Sequence, residues 1–288
     1  MAGLDREEYI EQAYFFRTFG ERLDENLPAQ EILESLREEV LATTKLPMAI
    51  DVMRGELIHQ GRLSDGMVHL PHYFAPFQTF VMQKSEEDKT KFDQRTALHI
   101  LEREAKYRSE NPSAAGLFVY QFECLARNRL GYDRGLEAMA TDPLYDPLWR
   151  EWVRKIRQRL GEHEFADLIY ARSEWYLEEK RRAGQADYVP PAPILFGKSE
   201  GRIAKANRGK DPLYLFAALQ RQLGYPGVPR PRPAESQLKL PPQLEIRLQR
   251  IEKRMQLAES EAQGKLDLSQ FYTSTPQFPD DDLNPSTP

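Results

Sequence analysis

Cysteine is nearly absent from the chain: Cys124 is the only one in 288 residues. An internal disulfide is therefore excluded, as is a metal centre built on several thiolates, and a reducing, cytoplasmic compartment is the simplest reading. Glycine is also sparse, with 16 residues, and histidine is limited to His59, His69, His72, His99 and His163. Long apolar runs are missing. The most apolar stretch, MVHLPHYFAPFQTFVM at 67–82, is interrupted by two His and two Pro, and it falls short of the roughly 20 uninterrupted apolar residues of a membrane span. No membrane contact is expected. The opening MAGLDREEYIEQ has no basic segment followed by an apolar one and does not read as a secretory signal.

Catalytic signatures are missing as well. There is no G-x-S-x-G elbow, no H-E-x-x-H and no P-loop; FGKSEG at 196–201 contains G-K-S but lacks the preceding glycine-rich loop that cradles phosphates. Extended β patterning hardly occurs.

Helical signals, by contrast, recur along the chain. Apolar residues follow the helical period from Asp5 to Phe19 (Tyr9, Ile10, Ala13, Phe16), and again from Pro28 (Ile32, Leu33, Leu36, Val40, Leu41) to a break or kink at Pro47. Met48 to His59 resumes the pattern until Gly61. The uncharged 64–83 segment predicts two short buried helices bent around Pro71 and Pro76. A helix from Phe92 to Arg108 presents Leu98, Leu101 and Ala105.

Asn111-Pro112, Asp142-Pro143, Asp146-Pro147 and Asp211-Pro212 are start signals, since Asn or Asp can cap free amides while Pro fits the first helical position. AAGLFVYQFECLARNRLG, from 114, is apolar around most of its circumference and is the candidate central helix. Leu148, Trp149, Trp152, Val153, Ile156 and Leu160 form a stripe, and Phe165, Leu168, Ile169 and Tyr176 form another that runs into EEKRRAG. A linker near 184–200 marks a candidate subdivision, and Asp211 to Gly224 is a short helix.

Twenty-one prolines are unevenly placed: ten fall between Pro226 and the end. The expected architecture is therefore all-α, an irregular bundle of about seven to nine helices within residues 1–224. A Pro-rich, partly polyproline-like linker at 225–242 follows, then an amphipathic helix at 243–263 and a disordered acidic tail at 264–288. In the helix, Leu244, Leu248, Ile251, Met255, Ala258 and Ala262 keep a 4-3-4-3-4 spacing, the seam of a coiled coil. A lone helix of this length is marginal in water, so its apolar side needs another copy, a partner or its own domain.

The net charge of −5 argues against non-specific attraction of the whole molecule to nucleic acid or anionic membrane. The charge is segregated, however: residues 1–40 carry eleven acidic and four basic side chains, and 198–233 carry eight basic and two acidic. Lys198, Arg202, Lys205, Arg208 and Lys210 form a basic strip that could meet phosphates or an acidic protein, or be an ordinary solvated helix flank.

The chemical candidates are few. Glu56-x-x-His59 has the spacing of a carboxylate metal ligand pair, with His99, Glu102 and Glu123 as further donors, and His69-x-x-His72 is a second pair with Pro between. Cys124 sits in an apolar helix, where a thiol is usually a packed hydrophobe. The aromatics near 72–80 would either pack a core or line a pocket. No catalytic, cofactor-binding or metal residue is assigned, and no cofactor is expected. The reading preferred from sequence is an intracellular protein-interaction protein, scaffold or regulatory, with Leu244, Leu248, Ile251 and Met255 as partner anchors and Lys205, Arg208 and Lys210 as secondary contacts. A helical metal- or small-ligand-binding protein or enzyme and a nucleic-acid accessory protein are the alternatives.

Overall fold

A computed structural model describes residues 3–87, 92–185 and 187–230. The linker beyond Arg230, the 243–263 helix with its anchors Leu244, Leu248, Ile251 and Met255, and the acidic tail lie outside the described residues. Among the described residues there are thirteen helices and no strand: α1 (Arg6–Asp24), α2 (Ala29–Glu39), α3 (Leu46–Gln60), α4 (Leu63–Val68), α5 (Pro76–Ser85), α6 (Gln94–Ser109), α7 (Ala114–Asn128), α8 (Tyr132–Ala140), α9 (Pro147–Arg159), α10 (Phe165–Tyr170), α11 (Glu174–Arg182), α12 (Lys198–Ala206) and α13 (Pro212–Leu223). The chain is thus all-α, with more and shorter helices than its periodicity suggests.

The start signals behave differently from one another. Asp146 and Asp211 cap α9 and α13, accepting from the amides of Trp149 and Leu213 at 2.8 Å, with Pro in the first turn. Asn111 instead adopts φ 55° after α6, and Ser113 caps α7 through the Gly116 amide at 3.0 Å. Asp142 caps no helix but turns inward. Pro47 lies in the first turn of α3 and opens that helix, while α2 has already ended at Glu39. Two helix starts are served by remote carboxylates. Glu8 accepts from the Lys45 amide before α3 (3.0 Å), and Glu86 accepts from Leu63 and Ser64 at α4 (2.8 and 3.0 Å).

The core begins with α1 against α6, the most extensive helix pair. Phe15, Phe16 and Phe19 are fully buried there, each contributing about 1.5–3 kcal/mol of hydrophobic stabilisation. The α3–α4 pair is closer still. A Cβ on Gly66 would fall 2.6 Å from the Met53 Cα, so only glycine permits this approach. Gly66→Ala is expected to lower stability by about 1–3 kcal/mol; an unchanged urea midpoint would contradict the contact.

The second half assembles around α7, whose Leu117, Phe118, Val119, Tyr120 and Cys124 are inaccessible to solvent. Phe118 touches five aromatic rings from α7, α9, α10 and the 183–197 connection: Trp152 (centroids 4.7 Å), Trp149 (5.7 Å), Phe122 (5.9 Å), Phe165 (6.1 Å) and Phe196 (6.4 Å). Phe196 thereby ties the 184–200 linker into the body. Its amide and that of Leu195 both donate to the Arg172 carbonyl (3.1 and 2.9 Å). One compact unit runs from Met1 to Pro231.

The packed chain continues past Gly224. Tyr225 is buried and its hydroxyl donates to Glu123 Oε2 at 2.6 Å. Asn128 donates to the Pro229 carbonyl at 3.2 Å, and Arg103 donates to that of Gly227. The first residues of the Pro-rich segment are therefore a strap across α6 and α7.

Candidate functional site

The polar groups that could perform chemistry are held in structural roles. At the junction of α6, α7 and the α8–α9 turn, Arg108 pairs with Glu104 (2.8 Å) and with Asp142, all three almost inaccessible to solvent. Gln121 donates to Glu104 at 2.7 Å and accepts from the Tyr145 hydroxyl at 2.8 Å, and the Leu144 amide donates to Asp142 at 3.0 Å. Burial pushes the Glu104 carboxyl up against the opposing attraction of Arg108. Asp142, read from the sequence as a helix cap, is the partner that binds the turn to α6. Burial likewise raises the Cys124 thiol well above its ordinary range, which makes it inert at neutral pH.

The metal candidates are dispersed. Glu56 meets His69 rather than a second ligand of its own helix (3.3 Å), and His99 meets Glu102 (3.5 Å). Glu123 is occupied by Arg127 and Tyr225. His72 is exposed beside buried Tyr73 and Phe74. Among the described residues no three His, Cys, Asp or Glu side chains gather as metal ligands, and no helix is long and apolar enough to cross a membrane.

The basic strip of α12 faces its own neighbours. Lys198 pairs with Glu178, Lys205 with Glu179 (2.5 Å) and Arg208 with Asp167 (2.5 Å). Arg208 also lies over the Tyr170 ring, 4.1 Å from its centroid, and Arg202 over Trp175 at 5.7 Å. Of the three cations singled out from sequence, Lys205 and Arg208 thus dock α12 onto α10 and α11, and only Lys210 has no ion pair among the described residues. The partners Glu178, Glu179 and Asp167 are 20 to 41 residues away in sequence, so periodicity along α12 carries no sign of them.

The aromatic 72–80 segment does both things foreseen for it. Tyr73, Phe74, Phe77 and Phe80 are buried, while Phe74 and Phe80 also border an open apolar groove of about 360 Å³. Met67 and Val68 of α4, Pro71, Pro76 and Thr79 form one wall, and Ala138 of α8 with Thr141 just after it the other. Val68 is 46% exposed. The rim is charged and fixed: Arg134 bonds Glu87 at 3.1 Å and Glu137 bonds Arg157 at 2.8 Å. Hydrogen bonding from Lys84, with help from the Arg134 charge, holds Glu87 below its usual range. Chemically this groove can receive apolar side chains; it presents no nucleophile and no convergent acid and base.

No family model, no curated protein and no solved structure matches the chain.

Proposed function

We propose that this is a cytoplasmic protein-interaction protein, a scaffold or regulator, that works by pairing its 243–262 segment with another chain. The observation that carries the reading is the 4-3-4-3-4 run of Leu244, Leu248, Ile251, Met255, Ala258 and Ala262 on a Pro-rich tether. Such a seam needs an apolar counterpart to stay helical in water. Charges of both signs flank it (Glu245, Arg247, Glu252, Arg254), which suits a second copy of the same helix. The groove between α4, α5 and α8 supports the same class of function, because an open apolar trough with a charged rim accepts the anchors of a partner helix.

Changing Leu248 and Ile251 together to Asp is expected to abolish association while the helical signal and unfolding midpoint of the body stay unchanged. Association that survives both substitutions overturns the proposal. A nucleic-acid role is the weaker reading, because Lys205 and Arg208 are already paired with Glu179 and Asp167.

A further inference from the structure

A second cavity lies away from the groove, at the corner where α9, α10 and α11 meet the 188–192 connection. Its volume is about 320 Å³, and Lys155, Arg159, Arg172, Tyr176, Tyr188 and the Pro190-Pro191 pair line it. This is at the small end of the range for sites that enclose a small molecule, roughly 300–1,000 Å³.

The lining carries three cations, Lys155, Arg159 and Arg172, and no carboxylate, and among the described residues neither Arg159 nor Arg172 makes an ion pair. Lys155 is held by Glu151 at 2.5 Å. Glu151 is the one carboxylate that acts on Arg172, and it is already shared. Lys180 adds a further cation, 5.6 Å from the centroid of the Tyr176 ring. With Lys155 answered by Glu151, the lining keeps two unpaired positive charges, Arg159 and Arg172. Partial burial and the neighbouring Arg159 charge both work against the charged form of Arg172. An anion would relieve that cost.

The cavity is also fixed in shape. Arg172 Nη1 donates to the Pro193 carbonyl at 3.3 Å, while the Arg172 carbonyl receives two amides from the same connection. Tyr176 and Tyr188 meet edge to face, 6.2 Å apart at 79°. The result is two guanidinium groups beside a wall of two aromatic rings and two prolines. Guanidinium forks match phosphate oxygens in geometry, and a doubly charged group gains more than a carboxylate from two unpaired cations. The wall offers apolar contact to the organic part of a ligand.

We propose that this cavity binds a small phosphate monoester, with its phosphoryl group between Arg159 and Arg172 and its organic part against Tyr176, Tyr188 and Pro190-Pro191. The site is independent of the 243–262 pairing.

Calorimetric titration of the full chain with phenyl phosphate tests this, with inorganic phosphate and benzoate as parallel arms. Saturable binding of phenyl phosphate is expected, tighter than either of the others. Arg172→Gln and Arg159→Gln should each weaken it roughly tenfold or more, whereas Lys210→Gln, an unpaired cation elsewhere, should leave it unchanged. Circular dichroism melts establish that each variant is folded, and Arg159→Gln, at an exposed position, keeps the test valid should Arg172→Gln unfold. No saturable binding at millimolar phenyl phosphate, equal binding of inorganic phosphate, or binding indifferent to both arginine changes would overturn the proposal.

Discussion

Arg108→Met is expected to lower the stability of the body by about 3–5 kcal/mol, the usual cost of stranding a buried charge partner. Arg108 is 2% exposed, and Glu104 and Asp142 are inaccessible to solvent, so neither carboxylate can turn to water when the guanidinium is removed. The loss should depend on pH in a defined direction. Burial already raises the Glu104 carboxyl, with Arg108 as the main influence holding it down. Removing Arg108 raises it further. The folded variant then binds a proton more tightly than the unfolded chain, so stability is retained below the ordinary glutamate range and lost as pH rises through the folded-state value. Urea midpoints for wild type and variant should therefore diverge as pH increases. Replacing Glu104 and Asp142 by Gln and Asn in the same chain should recover part of the loss, because the uncompensated charges go. A difference that stays constant with pH would contradict the charge network.

Phe118→Ala is expected to cost a comparable amount, about 3–5 kcal/mol, through the cavity left behind. The side chain meets five rings from four parts of the chain, and the aromatic pairs add to the loss of apolar burial. Trp149 and Trp152 both contact it (5.7 and 4.7 Å), so near-ultraviolet circular dichroism and tryptophan emission should change along with the midpoint. A loss no greater than about 0.5 kcal/mol, the scale of a surface substitution, would mean that the ring is not the hub of this core.

The helical class was legible because periodicity is local. Phe16, Ile32, Leu98 and the stripe on α9 lie three or four residues from their neighbours, and each such pattern became a helix. The all-apolar stretch from 114 became the buried α7 for the same reason. What failed was information held by distant residues. Asp142-Pro143 and Asp146-Pro147 look alike in sequence, yet the first carboxylate answers Arg108, 34 positions earlier, and only the second caps a helix. The stripe from Phe165 to Tyr176 divides into α10 and α11 at Ala171–Ser173 without a Gly or Pro to announce it. The Ser173 side chain supplies the second start, accepting from the Tyr176 amide at 3.2 Å.

Proline content misplaced one feature. Prolines after Gly224 suggested that packing ends there, but Tyr225 is buried, and its ring and hydroxyl hold the strap against α7. Composition signals an extended backbone; it says nothing of whether that backbone is covered. The groove was half visible, since the aromatics at 72–80 were read as core or pocket lining, but its opposite wall is on α8, a nine-residue helix whose short apolar repeat, Leu136, Met139 and Ala140, says nothing of residues some sixty positions earlier. The cationic cavity was missed because Arg159 ends α9 and Arg172 lies in the turn between α10 and α11, and only the fold joins them.

The most direct test of the association account is the solution mass of the full chain beside a version ending at Arg230, by light scattering across a range of concentrations. Ending at Arg230 retains Tyr225 and the strap, so the body is left intact. The account predicts a concentration-dependent multimer for the full chain and a monomer for the shortened one; equal monomer masses for both would contradict self-pairing through Leu244, Leu248, Ile251 and Met255.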